Sequence, residues 1–457
     1  MKTKLLRGVK AGFLSRMLIL SGMICAGLPM NAQTLMADSA GDAPLTPSQQ
    51  RLKSMIESTH VITAGDEEAN RDSIEKLLNR FYVDQFRHFQ DPRAPYFMFL
   101  SKSGNLAMGV GGLIRMRGYF DWNGSIPISG FSPYMITIPK DPTQLRNLAA
   151  TPAGTGLFFT LLGKNPLLGD FLGFFQADFS GYNNRDFKLK KAYVQFKDWT
   201  VGYATTTFED TKAEPSTIDG AGANGVNSKT NVLVRYAHTF KDDHWSLAGS
   251  FEFPSSSKNA DGEYTKACND YVPDLAAFAQ YQWAKGESHI RLSGLMRTLS
   301  YRDMVEARNH NIIGWGAQIS TVIKILPQLD VMGIASVGQG HASYTTDLGI
   351  GNFDLIGDPH HKGKLYAPTA VGYVFGAAYY FKPNLFANLA LSEQRYYPKG
   401  HPNDSQYKYG LYGAVNLFWD ITPRFEVGME YLAGKRMNFN GSHGNANRLT
   451  AMAMFSF

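Results

Sequence analysis

Seven basic residues in five segments of the chain have side chains suited to attracting negative charge: Arg115, Arg117, Lys191, Arg235, Arg291, Arg297 and Lys408. Each lies on the more polar of two alternating faces of its segment. Fewer acids share those faces, chiefly Asp178, Glu252, Glu426 and Glu430. If the polar faces surround a water-filled passage, rings of arginine and lysine attract anions and repel cations. The sequence therefore predicts a passage that prefers anions.

A polar stretch, residues 208–225, carries the acids that could face these cations. They are Glu209, Asp210, Glu214 and Asp219. One hypothesis places them opposite the basic residues across the narrowest point, where a transverse field would orient dipolar solutes. The alternative is that the arginines pair with these acids and hold the stretch in place. Charge placement alone leaves both open.

Other chemistry is weakly represented in the sequence. His360 and His361 stand together in a long polar stretch, which favours a solvated pair over a metal site. Gly109-Val-Gly-Gly112 is typical of a strand and not of a phosphate-binding loop, and no G-x-S-x-G, P-loop or metalloprotease motif occurs. We therefore expect no enzyme activity, no cofactor and no metal. The alternative is an outer-membrane barrel hydrolase whose active site is assembled at the rim.

The charge balance gives no reason to expect a nucleic-acid partner. The formal charge is +6, but five cations and no acid lie in residues 1–32, which leaves +1 for residues 33–457. Of the two cysteines, Cys25 lies in that first segment and Cys268 in the remainder. If residues 1–32 are cleaved off as a leader, Cys268 is the one cysteine left. Neither an internal disulfide nor a cysteine-based metal site can then form.

The polar faces require β-strands to position them. In residues 105–120, Leu106, Met108, Ile114 and Met116 share one face, while the other carries small residues and the two arginines. Hydrophobic residues make up 44% of the chain, yet no segment after the first 32 residues is long and apolar enough for a membrane-spanning helix. Such dispersed, alternating apolar residues are typical of strands that face lipid on one side and water on the other.

The spacing of these segments predicts an all-β fold, a transmembrane antiparallel β-barrel of about sixteen strands. We expect strands near 105–121, 155–163, 169–180, 187–197, 199–207, 229–240, 244–254, 272–284, 287–301, 311–325, 329–341, 367–381, 384–397, 407–419, 424–437 and 447–457. Tight connections alternate with long polar ones, which is the loop asymmetry of outer-membrane barrels. Sixteen strands would enclose an aqueous lumen and not a packed interior.

The N-terminal region predicts export. A basic stretch, a short apolar run and Ala32 before Gln33 resemble a secretory signal peptide, residues 1–32. A lipid-anchored Cys25 is the disfavoured alternative, because Ile24 stands where such a site requires a small residue. With the barrel pattern, this leader predicts the outer membrane of a Gram-negative bacterium and contact with its lipid.

Three further regions follow from the same pattern. Residues 33–69 read as a flexible spacer, residues 70–104 as a short periplasmic helical segment, and residues 105–457 as the barrel. The helical segment combines a possible capping box, Asp72 and Glu75, with an apolar stripe over residues 74–86. That stripe could dock on the same chain or meet a helix of another subunit.

Several stretches resemble the DcaP-type trimeric outer-membrane porins. They are residues 105–121, Thr205-Thr-Thr-Phe-Glu-Asp210, residues 213–219, Gly222-Ala-Asn-Gly225 and Val234-Arg-Tyr236. The resemblance implies sixteen-stranded subunits in a homotrimer, an N-terminal helical segment that associates between subunits, and uptake of small anionic organic solutes. By the same match, Arg115, Arg117 and Arg235 take a pore-lining role.

Overall fold

The computed structural model describes residues 45–63, 95–101, 106–167, 169–180, 186–240, 244–400 and 405–457. Helix α1, Pro47–Glu57, and strands β1, His60–Thr63, and β2, Phe97–Leu100, come first. The strands that follow are β3 Leu106–Trp122, β4 Arg146–Thr151, β5 Gly156–Asn165, β6 Gly169–Asp178, β7 Lys188–Phe196, β8 Trp199–Thr205, β9 Thr230–Thr239, β10 Trp245–Glu252, β11 Thr265–Ala267, β12 Asp274–Trp283, β13 Ser288–Asp303, β14 Arg308–Leu326, β15 Leu329–Gln339, β16 Ile356–Gly357, β17 Leu365–Tyr366, β18 Thr369–Lys382, β19 Leu385–Tyr397, β20 Tyr407–Thr422, β21 Phe425–Asn438 and β22 His443–Ser456. A short helix α2, Thr346–Ile350, lies between β15 and β16.

Sixteen of these strands form a closed antiparallel barrel: β3, β5 to β10, β12 to β15 and β18 to β22. The barrel closes where β22 pairs with β3, from Phe455 opposite Ile114 to Asn447 opposite Trp122. Strands β4 and β11 lengthen the wall beside β3 and β13. The predicted fold class is confirmed, and each predicted strand matches a wall strand to within four residues at either end.

The two-residue alternation positions the side chains as predicted. Along β10, Trp245, Leu247 and Phe251 are exposed on the outside, whereas Ser246 and Ser250 are buried on the inside. Aromatic pairs lie on the outer surface near both ends of the barrel, such as Trp199 with Tyr236 and Trp122 with Tyr431. Aromatic side chains are enriched at the two interfaces of a membrane, so this distribution fits an outward face in contact with lipid.

The two ends of the barrel differ in their connections. At one end, here the short-turn end, strands join through brief turns such as residues 197–198, 327–328, 383–384 and 423–424. At the other, here the long-loop end, the connections include residues 123–145, 206–229 and 340–368. The predicted asymmetry of the loops is therefore present, and it fixes where a long loop can enter the lumen.

The N-terminal segment differs from its sequence prediction. Residues 47–63, expected within a flexible spacer, form α1 and β1. The Thr46 side chain accepts a hydrogen bond from the backbone N–H of Gln49, and the Gln49 side chain accepts one from the backbone N–H of Thr46, so a capping box starts the helix. Residues 97–100, expected to be helical, form β2 because they add to the edge of β3. The apolar stripe at 74–86 and residues 1–32 lie outside the described residues.

Strands β1 and β2 extend the wall beyond the last residue of the chain, on the side of β3 that pairs with β22. Phe457 pairs with Gly112, and the next stretch of β3 pairs with β2, from Val110 opposite Phe97 to Ala107 opposite Leu100. Strand β1 lies parallel to β2. None of the described helices is both long and apolar enough to cross a bilayer.

Candidate functional site in the barrel lumen

The connection between β8 and β9, residues 206–229 and here called the lumen loop, folds into the barrel. Its Ile218 and Val226 are buried, as are Phe131 and Ile136 of the connection 123–145. They share one apolar cluster with inward-facing residues of β14, β15 and β18 to β22. The expectation of a lumen free of packed side chains is therefore wrong on this side, because apolar loop side chains leave water by packing against the wall.

Asp210 anchors the lumen loop to β13 and β14. Its Oδ2 lies 2.7 Å from His289 Nε2 and accepts a hydrogen bond of 2.6 Å from Ser320 Oγ. The Arg291 guanidinium is 3.6 Å from Oδ1. Burial alone would raise the pKa of Asp210, but Arg291 and His289 hold it below its usual range. A predicted cation and a predicted loop acid are thus in direct contact, which is the geometry of the loop-fixing alternative.

Glu209 is also bound within the lumen loop. Its carboxylate accepts hydrogen bonds from the Lys229 backbone and from Ser228 Oγ, and its carbonyl accepts one from Arg291. Burial, and next the neighbouring Glu214 carboxylate, raise the pKa of Glu209 well above its usual value. Two of the four loop acids therefore lie beside each other, and Glu209 faces its own loop.

Asp219 ties the two inward-folded connections together. Its carboxylate accepts a hydrogen bond of 2.8 Å from the Phe131 backbone. Glu430 on β21 accepts hydrogen bonds from the backbone N–H groups of Ile218 and Asp219. Arg117 donates to the Ile218 carbonyl at 3.0 Å. This part of the loop is held through its backbone, so Arg117 contacts the peptide and not a loop carboxylate.

Arg297 is a fully buried structural cation. Its guanidinium lies 2.9 Å from Asp274 and 3.2 Å from Asp354, and it donates to the carbonyls of Gly340 and Ser255. These partners belong to the start of β12 and to two different connections at the long-loop end. With two carboxylates beside it, Arg297 presents little charge to a solute.

The remaining predicted cations divide into two groups. Arg235 is buried and donates to the Thr205 carbonyl, and Lys408 lies near the long-loop end with Nζ 5.8 Å from the centre of the Phe439 ring. Arg115 and Lys191, in contrast, keep intermediate exposure inside the lumen. They face inward from β3 and β7. Arg115 contacts Met452 of the apolar cluster, and Lys191 lies two residues before Tyr193, which belongs to a second buried cluster on β2, β3 and β5 to β9.

A model of the DcaP outer membrane protein family matches residues 110–457. The chain belongs to this family. The outer membrane channel DcaP of Acinetobacter baumannii has a similar fold, with a TM-score of 0.66 at 22% identity over 79% of this chain and 99% of that one. OmpT of Vibrio cholerae in its trimer form matches with a TM-score of 0.49 at 8% identity over 77% of this chain and all of that one. Among curated protein sequences, none matches significantly.

In this DcaP-family chain, several lumen residues escaped prediction. Arg448 on β22 pairs with Asp121 on β3, and Asp347 of α2 accepts hydrogen bonds from Ser132, Asn224 and Tyr407. Asp347 gave no signal in the sequence because its partners come from three distant segments. Arg448 and Asp121 could have been found, since both lie on inward faces of the strands predicted to close the barrel.

One acidic cluster of this DcaP-family barrel lies at the long-loop end. Oxygen or nitrogen atoms of Asp303, Glu306 and His310 lie within 4.8 Å of one another. Lys364 Nζ is 2.9 Å from Asp303 and 2.8 Å from Glu306. A lysine ammonium thus already supplies the positive charge that a metal ion would otherwise bring to these acids.

Proposed function

We propose that this DcaP-family barrel is a pore through which small hydrophilic anions diffuse. What supports the anion preference is the partial exposure of two inward-facing cations, Arg115 and Lys191. Arg115 has no carboxylate within ion-pair distance among the described residues; its Nε lies 3.1 Å from Met452 Sδ. Lys191 stands three strands further along the inner wall, on β7, facing Gln176 across the β6–β7 pairing.

Several acids of the lumen are engaged by hydrogen-bond donors. Asp210, Asp219, Glu430 and Glu252 each accept hydrogen bonds from neighbouring backbone or side-chain groups. A carboxylate so engaged is partly neutralised and turned toward its donors. An anion entering the lumen therefore meets Arg115, Lys191 and the amides Gln176 and Gln195, all of intermediate exposure. A positive lining of this kind raises the local concentration of anions.

Reversal potentials in planar bilayers test the proposal. Wild-type protein in a KCl gradient should give a potential of the sign that chloride permeation produces. The double variant Arg115→Ala and Lys191→Ala should shift the reversal potential toward the value expected for potassium permeation. The double variant Arg115→Lys and Lys191→Arg keeps both charges and should leave the reversal potential unchanged. An alanine variant with the wild-type potential would refute the role of these two residues.

We also propose that residues 1–32 direct export and that three copies assemble in the outer membrane. The basic and apolar run before Gln33 and the resemblance to trimeric porins support these two points. Mass measurement of protein purified from outer membranes tests both. It should give a chain beginning near Gln33 and a detergent-corrected mass of three chains. A monomer, or a chain that retains its first residues, would contradict the respective point.

A further inference from the structure

Helix α1 lies across the short-turn end of the barrel. Ser48 near its start is 3.1 Å from Lys324 Nζ on β14, and Arg51 reaches β20 and β21. Ile56, near its end, packs against the apolar cluster that includes Met98 and Leu100 of β2. Eleven residues span about 16 Å. Its contacts extend along the rim of the barrel from β14 to β2, so the helix crosses the opening.

Arg51 is the main anchor of this helix. Its side chain is only 8% exposed, with Nε 2.5 Å from Asp420 and Nη2 2.7 Å from Glu426. Its guanidinium also stacks 4.8 Å from the centre of the inward-facing Phe386 ring. A cation with two carboxylates and an aromatic face is held in one geometry. The N-terminal half of α1 is thereby fixed to the inner wall.

A second arginine, from the barrel itself, fixes the other end of α1. Arg424, in the turn between β20 and β21, donates to Ser58 Oγ at 2.7 Å and to Thr59 Oγ1 at 3.3 Å. It also reaches the Pro95 carbonyl, just before β2. Helix α1 is therefore bound at both ends to the rim, and the exposed side of its C-terminal half carries Lys53 and Glu57.

We infer that α1 forms a second constriction of the pore, at its short-turn exit, in series with the narrowing made by the lumen loop. This inference rests on the proposed pore function. The exit ring around α1 contains Glu287, Asp330, Asp420 and Glu426, of which the last two face Arg51. Arg51 thus narrows the exit by holding α1 in place. Its positive charge also offsets the negative charges of Asp420 and Glu426, which an anion must pass.

Single-channel conductance of the full chain tests this constriction. Arg51→Glu places a third carboxylate beside Asp420 and Glu426, so the helix should leave the rim. Two constrictions of similar resistance in series give a conductance that rises up to about twofold when one is removed. The recording uses 1 M KCl, where the Debye length of about 3 Å screens the added charge. Lys53→Glu on the exposed side of α1 is the matched control and should conduct as wild type.

Thiol labelling reports the position of the helix in the same proteins. Met55, buried on α1, is changed to cysteine in a Cys268→Ser background. The new thiol should be protected, and adding Arg51→Glu should expose it. An exposed thiol with wild-type conductance would overturn the constriction, and a protected thiol would overturn the anchoring role of Arg51. If Arg51→Glu does not assemble, Arg51→Ala is read by the same two measurements.

The proposed pore function fails in a different way. A wild-type protein that assembles but passes no current would refute the pore itself. A conducting wild type whose conductance Arg51→Glu leaves unchanged, although the Met55→Cys thiol becomes exposed, would refute only the second constriction.

Discussion

Asp121 on the first wall strand and Arg448 on the last form a buried ion pair across the line where the barrel closes, with Oδ1 and Nε 2.6 Å apart. The two residues are direct register partners. Arg448 also donates to the carbonyls of Ser129 and Ile128, so the same guanidinium holds the connection 123–145 inside the lumen. Barrel closure and loop position are thus coupled through one cation.

Removing one member of this pair should destabilise the barrel strongly. Asp121→Ala leaves the Arg448 charge buried without its carboxylate, and breaking a buried pair in this way costs about 3–5 kcal/mol. Urea unfolding in detergent micelles, followed by tryptophan fluorescence, should show a lower midpoint. Asp170→Ala, at an exposed position on β6, is the control and should unfold as wild type. An unchanged midpoint for Asp121→Ala would contradict the coupling.

Asp210→Ala should loosen the lumen loop. The substitution removes the acceptor shared by His289 and Ser320 and leaves Arg291 without its nearest carboxylate. We expect larger and noisier single-channel currents, because the loop no longer keeps one position against β13 and β14. Glu263→Ala, on an exposed connection, should give quiet wild-type currents. Quiet wild-type currents from Asp210→Ala would mean that the other contacts suffice to hold the loop.

A close approach between Gly225 and the backbone of β18 predicts a steric effect at the lumen loop. A Cβ on Gly225 would lie 2.6 Å from the Tyr373 carbonyl oxygen on β18, where only backbone could yield. Gly225→Ala should therefore lower the free energy of unfolding by about 1–3 kcal/mol, the usual cost of overpacking. Gly249→Ala, whose Cβ would meet nothing within 4 Å, is the control. Equal unfolding midpoints for both variants would contradict the contact.

Asp347 predicts a pH-dependent contribution to stability. Burial raises the pKa of Asp347, against the opposing effect of hydrogen bonds from Ser132, Asn224 and Tyr407. Because the pKa is higher in the folded than in the unfolded chain, its stabilising contribution is full below the unfolded pKa and is lost as pH rises through the folded pKa. The loss of unfolding free energy in Asp347→Asn should therefore be greater near pH 4 than near pH 8.

Paired unfolding curves check this sign. Wild type and Asp347→Asn are compared at each pH, so that other titrating groups cancel. Asn440→Ala, in the exposed turn between β21 and β22, removes no titrating group and should show a difference that does not change with pH. A cost of Asp347→Asn that grows toward high pH would reverse the assignment.

The sequence by itself determined the wall of the barrel. The period of two in segments such as 105–121 and 424–437 reflects a physical constraint, since lipid on one side and the lumen on the other select opposite residue types at successive positions. The same constraint placed Arg115, Arg117, Arg291 and Arg297 on the inner face, as the structure has them. The number of strands and the sorting of short and long connections followed from spacing alone.

Tertiary structure alone decided what each inward cation does. Arg291 and Arg297 are enclosed by acids from distant connections, while Arg115 stays open to the lumen, and no local pattern separates these residues. Helix α1 and strand β2 likewise exist because the barrel rim offers Asp420, Glu426 and the free edge of β3 as partners. These contacts join residues hundreds of positions apart, so no repeating pattern in the linear sequence reveals them.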